Sequence, residues 1–100
     1  MEFTTSYKSI TFEYTYGTFT ISIADYLMGD GTPDGKISIL IQKFGENLST
    51  KSVERIATYI QPRLIRNGVV VACNNAIELN IDKSEQFMYH LHNALDIIFP

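Results

Sequence analysis

The chain has one cysteine, Cys73, so no disulfide can form within it. Cys73 lies in the apolar run VVVAC, where we expect a buried, inert thiol and not a nucleophile. A chain of 100 residues can still bury one continuous core without disulfides or metal ions. We therefore expect a single domain over residues 1–100.

Membrane-directed segments are also lacking. The first residues, MEFTTSYKSITFEY, carry neither the basic flank nor the apolar run of a secretory signal. No segment approaches the roughly 18 consecutive apolar residues of a membrane span. These two absences favour a cytoplasmic location and no membrane partner.

Excess positive charge is lacking as well. Charged residues make up 19% of the chain and the formal net charge is -3. This balance argues against attraction of the whole molecule to nucleic acid, although a local basic patch stays open. Hydrophobic residues reach 45%, which is too apolar for an intrinsically disordered chain.

Linear motifs of catalysis are lacking too. The sequence contains no G-x-S-x-G, P-loop, dinucleotide glycine pattern, H-E-x-x-H or paired C-x-x-C. No spacing sets a general base against a nucleophile. We therefore expect neither an enzyme nor a bound cofactor.

Three segments have the apolar and polar alternation of half-buried strands. They are residues 10–16, 18–27 and 36–44, and the turn-rich sequence MGDGTPDG separates the last two. We place a two-residue turn at Tyr16-Gly17 between the first two strands. That turn sets Phe12 opposite Ile21.

A helix is predicted to follow the third strand. Ser49 is its expected N-cap, and its apolar stripe consists of Val53, Ile56, Ala57 and Ile60. Pro62 either kinks this helix or ends it near Ile60. Gly68 is the stop signal in both cases.

A second hairpin and a second helix complete the chain. The hairpin turns at Asn74-Asn75 and sets Ala72 opposite Ile77 and Val70 opposite Leu79. The last helix covers about residues 83–98. Its predicted capping box is formed by Asp82 and Glu85, and its apolar stripe consists of Phe87, Leu91, Ala94, Leu95 and Ile98.

The element order β-β-β-α-β-β-α predicts an α+β fold. We expect an antiparallel five-stranded sheet with two helices on one face. The predicted shared core consists of Phe12, Ile21, Ile23, Ile39, Ile60, Leu79, Leu91 and Leu95.

The uncovered sheet face is predicted to be polar and scarcely charged. Its residues are Thr11, Thr15, Thr18, Thr20, Ser22 and Ser38. Such a face is either solvated or covered by a partner protein or a second copy of the chain. The candidate partner-binding residues are Thr11, Thr18, Thr20 and Ser22.

A basic stripe on the first helix is the alternative surface. It consists of Lys51, Arg55, Tyr59, Arg63 and Arg66, the last two only if the helix continues past Pro62. Basic side chains with an interleaved aromatic ring can contact phosphates and stack on a base. They can equally contact an acidic protein surface.

Two weaker patterns suggest metal ions. Residues 28–36 contain Asp30 and Asp34 at the spacing of a calcium-binding loop, but Ile41 stands where the closing carboxylate is required. His90 and His92 would point apart on a helix and could not share one metal. Turn formation is the simpler interpretation of residues 28–36.

These patterns favour a non-catalytic protein–protein interaction module that forms a target complex or a homodimer. A small inhibitor or adaptor of the phage or mobile-element type is one such protein. The link to phages and mobile elements is a general expectation for small proteins, and no residue of this chain indicates it. Nucleic-acid binding through the basic helix is the first alternative. Binding of a small ligand or a weakly held metal ion at residues 28–36 is the second.

Overall fold

The computed structural model describes residues 7–64, 70–73 and 75–100, with the side chains of Cys73 and Ile81 excepted. These residues form six strands and two helices. The elements are β1 (Tyr7–Tyr16), β2 (Phe19–Leu27), β3 (Pro33–Lys43), β4 (Glu46–Asn47), α1 (Thr50–Ile60), β5 (Val71–Cys73), β6 (Ala76–Asn80) and α2 (Ser84–Ile98).

The strands form one antiparallel sheet in the order β1-β2-β3-β6-β5. The short strand β4, which the sequence did not predict, pairs with the end of β3. Both helices contribute buried side chains to a core shared with one face of the sheet. The predicted α+β fold with two helices on an antiparallel sheet is confirmed.

The first hairpin turns one residue later than predicted. Tyr16 lies opposite Phe19, so Gly17 and Thr18 form the two-residue turn. Gly17 has φ of 60°, as the first turn residue of a type II′ hairpin requires. The predicted pairing of Phe12 with Ile21 is therefore wrong by two residues, and a shift of two residues does not by itself move side chains to the other face.

A β-bulge interrupts this hairpin at Thr11. Phe12 lies opposite Ile23, whereas Ile10 lies opposite Ala24, so Thr11 has no partner of its own in the ladder. The Thr11 hydroxyl donates a hydrogen bond of 3.1 Å to the carbonyl oxygen of Ile23. Because a bulge adds one residue, the side chains before it change faces. Ile10 thus lies on the uncovered face and not on the helix-facing side.

The core contains most of the predicted residues. Ile21, Ile39, Ile60, Leu79, Leu91 and Leu95 are buried, and Ile23 is half-buried against them. Phe12 is 57% exposed, so its predicted place in the core is wrong. The reason is that β1 is an edge strand, and its described contacts with α2 begin further along, at Tyr14.

The first helix begins as predicted. The Ser49 hydroxyl accepts a hydrogen bond of 3.1 Å from the Ser52 backbone N–H. The helix ends at Ile60, and Pro62 lies in a 3-10 turn at Gln61–Arg63. Proline has no N–H to continue the helical bonds, so the chain ends the helix instead of kinking it. The predicted stop at Gly68 lies outside the described residues.

The second helix buries its predicted stripe but starts differently. Phe87, Leu91, Ala94 and Leu95 are buried, and Ile98 packs half-buried on the core. The N-cap is Lys83, without a side-chain capping hydrogen bond. Because residues 81–83 form a 3-10 turn, Asp82 lies inside that turn. The predicted Asp82–Glu85 capping box is therefore wrong.

The second hairpin has its predicted register. Ala72 lies opposite Ile77, and Cys73 lies opposite Ala76. The predicted turn residue Asn74 and the side chain of Cys73 lie outside what the structure describes. The strand begins at Val71, so the predicted pair of Val70 and Leu79 is not part of the ladder.

Neither described helix combines the length and the hydropathy that crossing a bilayer requires.

Truncation of Leu91 to Ala tests the packing of α2. Leu91 is fully buried, so the free energy of unfolding should fall by roughly 2–5 kcal/mol in chemical denaturation. Ile97→Ala on the same helix is the matched control, because Ile97 is 61% exposed and its truncation should change stability by less than about 0.5 kcal/mol. Equal losses in both variants would show that α2 presents another face to the sheet.

Candidate partner-binding surface

The side of the sheet opposite the helices, here called the open face, is concave. It encloses a depression of about 550 Å³. Both small and larger side chains line this depression. The small ones include Ser22, Ala24, Ser38 and Ala76, and the larger ones include Lys8, Ile10, Glu13, Leu40 and Gln42.

The open face is less polar and more charged than the sequence predicted. Ser38 is only 4% exposed, and Ser22 is also buried. Ile10, which the bulge moves to this face, is 72% exposed. Lys8 and Glu13 add charges of both signs. A surface with apolar, polar and charged groups has replaced the expected hydroxyl-lined one.

Hydrogen bonds hold several open-face side chains in place. The Ser22 hydroxyl donates to Oε2 of Glu13 at 2.8 Å. The Tyr26 hydroxyl donates to the carboxylate of Glu78. The ammonium groups of Lys8 and Lys36 each lie 5.8 Å from the centroid of the Tyr26 ring. The charges of this face are thus ordered against neighbours and are balanced in sign.

The four predicted site residues do not form one group. Thr20 is half-buried on the open face, between Thr15 and Gln42. Ser22 is on the same face but is buried and bonded to Glu13. Thr11 occupies the bulge and Thr18 the turn. Other residues of the face, above all Ile10, were missed because period-two alternation does not reveal a bulge.

The outer side of β1 is a long edge. β1 has ten residues and pairs only with β2 within the described part of the chain. Its exposed apolar side chains lie on both faces of the sheet: Ile10 on the open face and Phe12 and Tyr7 on the other. A strand with one unpaired side offers backbone N–H and C=O groups to another strand.

One end of β1 is fastened to α2. The Tyr14 hydroxyl and Nε2 of His92 are 2.8 Å apart, and the rings of Tyr16 and His92 stack with centroids 4.2 Å apart. The Tyr16 hydroxyl donates to Asp96 at 2.7 Å, and this hydrogen bond raises the pKa of Tyr16. Burial raises the pKa of Tyr14 to about 12. These contacts hold residues 14–16 in place while the Tyr7 end stays uncovered.

The two histidines, His90 and His92, do not face a common position for a metal ion. His92 faces β1, whereas the ring of His90 lies against Tyr89. In the ranges 7–64, 70–73 and 75–100, no three or more His, Cys, Asp or Glu side chains form a group that could hold a metal ion.

Within the predicted loop at residues 28–36, residues 28–32 form a turn and residues 33–36 already belong to β3. Oδ1 of Asp30 accepts hydrogen bonds from the Thr32 hydroxyl at 2.7 Å and from the Thr32 N–H at 3.0 Å. These bonds lower the pKa of Asp30. Ile41, at the position where a calcium loop needs a carboxylate, is buried in the core. Asp30 thus serves its own loop, as Asp commonly does in turns.

The basic stripe lies beside a groove between α1 and α2. This groove has a volume of about 530 Å³ and is lined by Lys51, Glu54, Arg55, Thr58, Tyr59, Ile97 and Ile98. The guanidinium carbon of Arg63 lies 3.7 Å from the Tyr59 ring centroid, and Arg63 also donates to the Tyr59 carbonyl at 2.6 Å. One face of the Tyr59 ring is therefore occupied. Arg66 lies outside the described residues.

Comparison with known proteins gives no match: no protein-family model, curated protein or solved structure is significantly similar to this chain.

Substitution of Tyr14 by Phe tests the attachment of β1 to α2. Folded Tyr14 keeps its proton to about pH 12, whereas an unfolded tyrosine loses it near pH 10. The stability from this difference is fully present below about pH 10 and is lost as the pH rises towards 12. Tyr14→Phe should lower the free energy of unfolding by about 1 kcal/mol at neutral pH and reduce its further loss between about pH 10 and 12.

Urea unfolding at several pH values measures both effects. Tyr89→Phe is the control, because Tyr89 is exposed and its loss should alter neither the stability nor the pH dependence. A Tyr14→Phe variant with the wild-type alkaline slope would contradict the burial of this hydroxyl.

Proposed function

We propose that the chain is a non-catalytic protein–protein interaction module that binds through the open face and the β1 edge. The observation that carries this proposal is the position of β1. A ten-residue edge strand with exposed apolar side chains borders a concave face of mixed polarity. Strand addition at such an edge supplies backbone hydrogen bonds, and the adjacent depression supplies side-chain specificity.

The composition of this surface supports a protein partner. Apolar groups such as Ile10 and Leu40 can exclude water at the centre of an interface. Lys8 and Glu13 at its border can orient a partner without giving the face a net charge. A small cytoplasmic inhibitor or adaptor, such as those of phages and mobile elements, would use a surface of this kind.

Nucleic-acid binding through the basic helix is the second candidate. Lys51 and Arg55 border the groove between the helices, and among the described residues that line this groove Glu54 alone is acidic. One observation argues against this candidate. Arg63 covers one face of the Tyr59 ring, so the ring is less accessible for stacking with a base. The third proposal, a ligand at the 28–36 loop, has less support because Asp30 is bonded to Thr32.

Two substitutions separate the sheet surface from the basic helix. Thr20→Lys adds a charge to the open face, and Arg55→Glu reverses one on α1. We expect Thr20→Lys to abolish binding of the protein partner, because the interface would bury an unpaired charge. We expect Arg55→Glu to leave that binding unchanged. Ser22→Lys is unsuitable, because Ser22 is buried and bonded to Glu13.

The assay has three parts. Copurification with mass spectrometry identifies the partner, calorimetry compares the variants, and circular dichroism confirms that both are folded. Loss of binding in Arg55→Glu alone would make the helix the working surface. Submicromolar, salt-sensitive binding of an oligonucleotide at about 0.15 M salt, lost in Arg55→Glu, would favour the nucleic-acid candidate.

A further inference from the structure

The first hairpin determines which backbone groups of β1 point outward. Tyr16 and Phe19 flank its two-residue turn and therefore exchange hydrogen bonds. In an antiparallel pair the bonded residues alternate, so Tyr14 also bonds to β2. The backbone N–H and C=O groups of Glu13 and Thr15 point away from β2, towards the unpaired edge.

The bulge changes this alternation for the first half of β1. Thr11 and Phe12 together occupy the one ladder position opposite Ile23. Counted in ladder positions, Lys8 lies two positions before Ile10, and Glu13 lies two positions after it. All three lie on the open face and direct their backbone groups outward. Lys8 and Glu13 are therefore equally distant from Ile10, counted in ladder positions along the edge.

We infer that the partner of this edge is a second copy of the chain. The two β1 strands pair antiparallel about a two-fold axis at Ile10, so that Lys8 of each copy faces Glu13 of the other. This inference rests on the proposed function and names the partner of the β1 edge. The Thr20→Lys test concerns a partner on the rest of the open face, because Thr20 lies beside Thr15, four ladder positions from the axis. An interface with two-fold symmetry must be self-complementary. β1 meets that condition because its one positive charge and its one negative charge lie two ladder positions on either side of Ile10.

The charges select this register among the alternatives that keep each side chain on its face. Lys8 and Glu13 are the only charged residues of β1. A register centred on Lys8 would place two lysines opposite each other, and one centred on Glu13 would place two glutamates opposite each other. Like charges directly across a strand pair are destabilising, and unlike charges are favourable. Only the register centred on Ile10 places Lys8 opposite Glu13, and the two-fold symmetry makes this pair occur twice.

The same register gives every exposed apolar residue of β1 a neighbour. The two Ile10 side chains meet at the axis on the open face. On the helix-facing side, Phe12 faces Ser9 and Tyr14 faces Tyr7 of the second copy. The exposed surface of Ile10, Phe12 and Tyr7 is thereby reduced. The open-face depressions of the two copies, each bordered by Ile10, become adjacent.

Cysteine substitution tests the axis directly. In a Cys73→Ser background, Ile10→Cys places two thiols on the axis, with Cα atoms about 5.5 Å apart, within the range of a disulfide. Thr15→Cys is the matched control on the same strand and face. It lies four ladder positions from the axis, so its two copies are roughly 27 Å apart. We expect mild oxidation to link Ile10→Cys chains and not Thr15→Cys chains.

Charge reversal tests the register. In sedimentation equilibrium, Glu13→Lys should weaken dimerisation by about tenfold or more, because two unlike pairs become two like pairs. Lys8→Glu combined with Glu13→Lys should restore it, since the pairs are unlike again. Lys51→Glu on α1 is the control and should leave dimerisation unchanged.

Two results would overturn the inference. One is a monomer at about 1 mM without an Ile10→Cys disulfide, and the other is equal cross-linking at both cysteines. A monomer whose protein partner is lost on Thr20→Lys would refute self-pairing alone and leave the proposed function standing. A monomer that binds its partner through Arg55 would refute both.

Discussion

The pairing of β6 with β3 is the constraint on which the arrangement of this protein depends. It joins the three-stranded meander β1-β2-β3 to the hairpin β5-β6, with Ile39 opposite Ile77 at the centre of the core. The strand of each unit that lies farthest from this junction, β1 or β5, is consequently left at an edge. The two edges are unequal, since β5 has three residues and β1 has ten. Most of the unpaired edge of the described sheet therefore belongs to β1. The edge position of β1 follows from the strand order and does not depend on any single side chain.

The second helix, α2, holds one end of this edge strand in place for binding. Its inner stripe closes the core, while His92 and Asp96 contact the tyrosines near the turn of the first hairpin. The edge strand is thus fixed at one end by side-chain contacts and along its length by β2. A strand that is already ordered loses little conformational entropy when it pairs with another, and this favours binding. The bulge at Thr11 adds a second property, because it turns Ile10 towards the open face and joins edge and depression into one surface.

Much of the fold could be predicted from the sequence, because helical and strand periods are set by local chemistry. The stripe from Val53 to Ile60 followed from the helical period, and the pairing of Ala72 with Ile77 followed from the turn predicted at Asn74-Asn75. The binding surface could not be predicted in the same way. Alternation does not distinguish strand registers that differ by two residues, which explains why the predicted partner of Phe12 was wrong by two residues. One bulged residue also reverses the faces of the side chains before it. Strand order depends on long-range packing, so the edge position of β1 was also out of reach.

Residue-resolved hydrogen–deuterium exchange of β1 at two chain concentrations tests the central claim most directly. The amides of Ile10 and Glu13 point outward, whereas the amide of Tyr14 bonds to β2. If β1 pairs with a second copy, exchange at Ile10 and Glu13 will slow between about 0.05 and 1 mM chain, while exchange at Tyr14 will stay the same. Fast exchange at Ile10 and Glu13 at both concentrations would contradict the account.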